Sequence, residues 1–307
     1  MSTASGSSLQ TMPRWLGVPI LLVIAATFGA NHVAARLAFD HGVNVTTAVA
    51  VRSCGAALFV LVLLRLSGTA LRIPAPTLAR GLLIGVLVAV QSACLYSAVA
   101  RIPVALALLV FNTFPMMLGM VSWLAGGERP TRRTLLAMPV ALLGLAVALD
   151  VAGLGAATRF REMLPGVGFA LTGALSFGVA LYLMGRWLPN TDGRLRTLMF
   201  MVVVAALALA VGLIGGTGPG SGFAWPVDGR GWAGLILLTL FYGAAITGLF
   251  VILPRLGAVN NAAIMNFEPV AALVMGWAVL GQTVAPVQLV GGVIVIAAIV
   301  FLTTGQR

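Results

Sequence analysis

The sequence predicts an all-α integral membrane protein, with ten transmembrane helices laid out as two inverted five-helix repeats. Three observations carry that expectation. Hydrophobic residues fill 60% of the 307 positions and charged residues 8%, with mean hydropathy +1.08, which is more apolar surface than a soluble core can hide. Apolar runs of about 20 residues, the length that crosses a bilayer as a helix, recur along the chain. The third is an internal echo: shifted by 154 positions, Arg255, Asn266, Pro269, Trp277, Gly281 and Leu289 land without a gap on Arg101, Asn112, Pro115, Trp123, Gly127 and Leu135, with Gln282 on Glu128. Matches at punctuation residues, with hydropathy in step, mark an internal duplication.

The segments follow in order. Residues 1–14 form a polar, Ser/Thr-rich tail with Arg14 before Trp15. No small-residue cleavage site follows a short apolar core, so the expectation is an uncleaved N-terminus. The first repeat, 15–152, holds spans near Leu16–Ala38, Val45–Leu66, Leu78–Val99, Val104–Leu124 and Thr134–Val151. A polar stretch, 153–164, is the expected linker. The second repeat, 165–305, holds spans near Pro165–Gly185, Leu195–Ile214, Gly231–Ile252, Ala258–Val279 and Pro286–Thr304, with the longest loop at Gly215–Arg230. An odd number of spans per repeat turns one half upside down relative to the other.

The net charge of +11 comes from arginine alone, there being no lysine. The arginines stand scattered between apolar runs, without a basic stripe interleaved with aromatics, so they read as topology signals and no nucleic-acid partner is expected. With the N-terminus inside, Arg14, Arg65, Arg72, Arg80, Arg129, Arg132, Arg133, Arg186, Arg194, Arg196, Arg255 and Arg307 fall on the inner side, against Arg101, Arg159, Arg161 and Arg230 outside. That bias puts both termini in the cytoplasm. Cys54 and Cys94 lie inside apolar runs as small packing residues. His32 and His41 are too few for a zinc site, so neither metal nor cofactor is expected.

Glu268 stands near the middle of the Ala258–Val279 run, where an unpaired charge costs several kcal/mol, so it should face a wet cavity or a partner. Pro269 and its counterpart Pro115 have no N–H to donate and should kink spans nine and four, freeing the carbonyls of Met265 and Phe111. Asn266 and Asn112 sit one turn earlier, where their amides either satisfy those carbonyls or face a solute. Arg52 lies roughly 10 Å inside the outer boundary by helical rise, too deep to snorkel, whereas Arg36 is near enough to a span end to do so. Asn31 and His32 are candidates for the pathway or for interhelical hydrogen bonds. Tyr96, Tyr182 and Tyr242 either pack or line a cavity.

Three stretches carry a family resemblance: Phe28-Gly29-Ala30-Asn31-His32-Val33 with Arg52 following, Pro115 followed by Gly127-Glu128, and Glu268-Pro269 followed by Gly281-Gln282. In this order, and in two copies over about residues 16–304, they resemble the drug/metabolite transporter superfamily, specifically its EamA-type family. Gln282 departs from the Gly-Glu of the first copy.

The resemblance implies a secondary active transporter of small metabolites in the bacterial inner membrane, by family habit an exporter, and not an enzyme. On that basis the expected site comprises Glu268, Asn266, Asn112, Arg52, Asn31, His32, Tyr96 and Tyr242, with helix breaks at Pro115 and Pro269. Glu268 is cast as the proton- or cation-responsive group and Arg52 as an anchor for a substrate carboxylate. Scarce charge in the spans disfavours a highly anionic solute and suits an amino-acid-like zwitterion; the alternative is a lipophilic-cation extruder. An intramembrane enzyme would need a second mid-membrane acid or a His/metal constellation, and a scaffold or sensor a soluble domain or long tail. The expected partners are a small-molecule substrate and the bilayer, with monomer and homodimer both left open.

Overall fold

The computed structural model describes residues 14–69, 71, 73–126, 132–148, 156–189, 191–215, 222–256, 267–283 and 285–304. These residues form helices α1 (Arg14–Asp40), α2 (Val45–Leu66), α3 (Ala75–Val99), α4 (Val104–Phe111), α5 (Phe114–Leu124), α6 (Arg132–Ala148), α7 (Ala156–Trp187), α8 (Gly193–Ile214), α9 (Gly229–Leu256), α10 (Glu268–Leu280) and α11 (Pro286–Thr304). Seven helical stretches are long and apolar enough to cross a membrane, Val104–Leu124 counting as one, and three shorter apolar helices join them. Their outward faces carry large apolar side chains in the open: Leu66 is 81% exposed and Leu213 77%. In water such a surface would aggregate; in lipid it is solvated.

Local chemistry sets the helix ends. Asn44 caps α2 by accepting from the Thr47 N–H, and Asp192 caps α8 by accepting from the Arg194 N–H, satisfying donors that a helix N-terminus leaves open. Gly281 ends α10 in the left-handed region at φ +64°, which glycine enters without the Cβ penalty. Helix α7 starts at Ala156, inside the polar stretch expected as linker, and carries Pro165 within it.

The expected kink at Pro115 is a break. Helix α4 stops at Phe111 and α5 restarts at Phe114, with Pro115 in the first turn of the new helix. There its missing N–H costs nothing, because first-turn donors have no intrahelical acceptor. Pro269 occupies the same place in α10, directly after Glu268. Asn266 and Met265 lie outside the described residues, as do Gly127 and Glu128.

The two halves pack as counterparts. Helices α1 and α9 pair along their length, as do α7 and α3; α2 pairs with α8 and α6 with α11. Close approaches repeat at equivalent places. A Cβ built on Gly29 of α1 would lie 3.1 Å from the Ala272 nitrogen of α10, and one on Gly178 of α7 would lie 2.9 Å from the Leu118 nitrogen of α5. Ala272 and Leu118 are 154 positions apart, the sequence offset of the duplication. Gly248 meets Ile24 where, in the other half, Cys94 meets Gly173, and Gly144 meets Val295 where Gly291 meets Ala148. With Gly234 against Ala38 and Gly248 against Ile24, α1 runs antiparallel to α9, and the α6 contacts make it antiparallel to α11.

Candidate functional site

Buried polar residues concentrate where α1, α2, α3 and α9 meet the start of α10. Asn31 is fully buried, and His32, Arg52, Ser53 and Ser92 each have at most 5% of their surface exposed. In an apolar bundle such groups persist only if packing or partners compensate their desolvation.

Glycine 29 brings α1 onto the first turn of α10: a Cβ there would stand 2.9 Å from the Glu268 carbonyl oxygen. One turn further along α1, His32 reaches the Glu268 side chain, with Nε2 3.3 Å from Oε1. Glu268 is the first residue of α10, where the helix macrodipole favours negative charge. Its side chain keeps 19% exposure against 6% for His32, so the carboxylate has an open side.

Arg52 is held by aromatic faces. Its guanidinium carbon stands 4.7 Å from the Tyr96 ring centroid and 4.1 Å from that of Tyr242, and one terminal nitrogen donates to the Ser92 hydroxyl at 3.0 Å. Each desolvated cation–π contact is worth up to about 2 kcal/mol, which offsets part of the cost of burying the charge. Among the described residues Arg52 Nε has no hydrogen-bond partner. Among the described residues no carboxylate pairs with Arg52.

Tyr96 joins the two charges. Its hydroxyl donates to Asn31 Oδ1 at 3.1 Å, its ring meets the His32 ring edge-to-face at 5.6 Å, and Arg52 stacks on it. Among the described residues three buried polar atoms here lack a partner, Asn31 Nδ2, His32 Nδ1 and Arg52 Nε, as does Ser53 Oγ next along α2. The arrangement therefore holds one positive and one negative group, kept apart by an aromatic ring, with spare donors around the positive end.

The structure thus gathers Asn31, His32, Arg52, Tyr96, Tyr242 and Glu268, and leaves other candidates elsewhere. Asn112 donates to the Leu108 carbonyl at 2.9 Å, so it does not serve the Phe111 carbonyl that Pro115 frees. Tyr182 accepts from Arg186 at 3.5 Å. Arg36 pairs with Asp40 at 2.9 Å and also donates to the Val99 carbonyl, a terminal clamp rather than a group reaching out to the interface. Cys54 is exposed on the surface of α2 and not packed inside.

Sequence reasoning missed Ser92 and Ser53, small hydroxyls that carry no signal of their own in a span; Ser92 stands four residues before Tyr96 and so shares its face of α3. It also missed that the counterpart of the Glu268 corner is aromatic. Where Gly178 approaches α5, the first helical residue is Phe114, clustered with Phe111 and Phe177 at centroid distances of 4.9–5.7 Å. An apolar groove of about 180 Å³ runs between α4, α10 and α11, lined among others by Leu106, Leu109, Pro269 and Val293; it reaches Pro269 but none of the polar cluster.

Against known proteins, the EamA-like transporter family matches twice, over residues 15–149 and 164–304. No curated protein matches the chain. A protein of known crystal structure superposes with TM-score 0.63 at 18% identity, covering 96% of this chain and 99% of its own; that likeness shows a shared fold.

Proposed function

This chain belongs to the EamA-like transporter family, and on that premise we propose that it is a secondary carrier that moves a small, amino-acid-like zwitterion by alternating access. Ten spans in two inverted halves, both termini in the cytoplasm of a bacterium and net flux outward complete the reading. The antiparallel pairing of α1 with α9 and the arginine bias support its geometry. The observation that carries the substrate class is the split charge. Arg52 and Glu268 converge on one buried cluster without pairing to each other, Arg52 lying on Tyr96 and Tyr242, Glu268 on His32. Two charges held apart, Arg52 buried and Glu268 with an open side, are stabilised by a solute that brings a carboxylate to one and an ammonium to the other.

The runner-up, extrusion of a lipophilic cation, draws on the apolar groove that reaches Pro269 beside Glu268. Arg52 opposes it, because an uncompensated guanidinium one ring away repels a second cation in a low-dielectric site.

The test is exchange of labelled L-amino acids, and of ethidium, in vesicles carrying the purified protein. Arg52→Gln should raise the KM for amino acids at least about tenfold, the scale of a lost charged hydrogen bond. Glu268→Gln should still exchange solute across the membrane while losing accumulation driven by a pH gradient. Ethidium transport without amino-acid exchange would replace the zwitterion reading with the cation reading, and gradient-driven accumulation by Glu268→Gln at the wild-type level would make the carboxylate structural.

A further inference from the structure

Resting on the zwitterion reading, we propose that His32 is a stand-in for the substrate's ammonium: it occupies the Glu268 carboxylate, and a substrate amine must displace it to bind. The His32–Glu268 contact is easily exchanged. At 3.3 Å it is long for an N–H···O bond, whose usual separation is about 2.9–3.0 Å. The imidazole has little else to hold it. Among the described residues Nδ1 is buried without a partner, Nε2 is the nitrogen placed to donate to the carboxylate, and the ring otherwise meets Tyr96 edge-to-face at 5.6 Å.

The exchange takes place by side-chain rotation. Gly29 sets the α1 backbone against the Glu268 carbonyl and the Ala272 nitrogen, so α1 stays against α10 and the imidazole clears the carboxylate by turning about its own side-chain bonds. The displacing group has the advantage there. An ammonium concentrates its charge and three donors on one atom where the imidazole turns a single N–H to the carboxylate, and that charge attracts the carboxylate strongly in a site of low dielectric. The open side of Glu268 gives the ammonium its approach. Among the described residues the charged and titratable groups around the imidazole are Glu268 from α10, Tyr96 from α3 and, stacked on Tyr96, Arg52 from α2.

Displacement makes a selective filter. A solute with a carboxylate alone can address Arg52 and the spare amide of Asn31 but cannot move His32. A zwitterion does both, so the amine is read by a competition and not by a preformed pocket.

The experiment uses the purified full chain in vesicles. All twenty L-amino acids are assayed for exchange, followed by leucine, 4-methylpentanoate (leucine's skeleton without the ammonium) and 3-methylbutylamine (without the carboxylate) as competitors. Variants are His32→Ala and His32→Met, the second filling the imidazole's volume without a donor, so that a folded variant remains if the alanine variant collapses. Relief of the competition should lower the KM for amino acids by about tenfold, the scale of a hydrogen bond to a charged group. Inhibition by 3-methylbutylamine should strengthen by a similar factor, while that by 4-methylpentanoate stays at the wild-type level. A raised or unchanged KM for amino acids in a variant that elutes as a single folded species overturns the proposal. So does an equal gain for 4-methylpentanoate, which would mean general loosening. No exchange of any amino acid by the wild type overturns the zwitterion reading and this inference with it, whereas wild-type exchange with no change in the variants overturns this inference alone.

Discussion

Replacing Gly29 by alanine tests the contact that builds the site. The added Cβ would stand 2.9 Å from the Glu268 carbonyl oxygen and 3.1 Å from the Ala272 nitrogen, where ordinary contact begins at 3.4 Å. Both obstructing atoms are backbone, so no rotamer change relieves the clash. The helices must part by about half an ångström, the shortfall between 2.9 and 3.4 Å, and overpacking of this kind costs roughly 1–3 kcal/mol. The same displacement stretches the His32–Glu268 contact from 3.3 Å beyond hydrogen-bonding range. Gly29→Ala should therefore still insert, unfold earlier on heating in detergent and, with the backbone of the site displaced, turn over slowly even where release of His32 lowers its KM. Gly178→Ala should lose comparable stability, since its Cβ meets the Leu118 nitrogen at 2.9 Å. Gly248→Ala is the mild control, because its Cβ meets only side-chain atoms, Cγ1 and Cδ1 of Ile24 at 3.1 Å, and should cost less than either. Wild-type stability and transport in Gly29→Ala would refute the close approach of α1 to α10 and with it the geometry of the site.

Two further outcomes are expected. At the end of α1 the segment before α9 is tied down by His41, whose Nδ1 stands 2.6 Å from Asp228, and the Gly231 N–H, foremost, with the His41 ring, holds the Asp228 carboxyl below its ordinary range. A depressed carboxylate stabilises the fold above its unfolded pKa of ~3.9 and loses that contribution as pH falls through the depressed value; thermal melts should show Asp228→Ala less stable than wild type at neutral pH, with the gap closing in strong acid, and a gap that persists there would mean the charge is not what matters. For topology, single cysteines at Gly155 and Gly218 should label from outside intact cells and one at Ala70 only after permeabilisation, and labelling of Ala70→Cys in intact cells would reverse the orientation.

How much of this was legible in the sequence depends on the kind of signal. The duplication was visible because Pro115 and Pro269 punctuate otherwise uniform apolar runs, and the structure puts both in the first turn of a helix. Glu268, Arg52, Asn31 and His32 stood out because polarity inside a span always needs a reason. Their pairing was not legible. Whether Glu268 meets Arg52 or His32 depends on which helix Gly29 presses against α10, a long-range packing fact with no local periodicity behind it. The same holds for Arg52, whose compensation comes from two tyrosine faces on α3 and α9. The proline effect was misjudged in form: a missing N–H kinks a continuous helix, but at a first turn it marks a restart, and Asn112 turns back to Leu108 accordingly.

The aromatic counterpart of the Glu268 corner sets a limit on energetics. Phe114 stands where the other half has Glu268, so this pair of equivalent positions supplies one carboxyl per carrier, not two. If Glu268 carries the driving proton, one proton crosses for each solute at this corner. Exchange of that proton against a zwitterion of no net charge is electrogenic, so membrane voltage and pH difference both drive it. The attainable gradient then rises about tenfold for each pH unit, and a carrier with acids at both positions would square that figure.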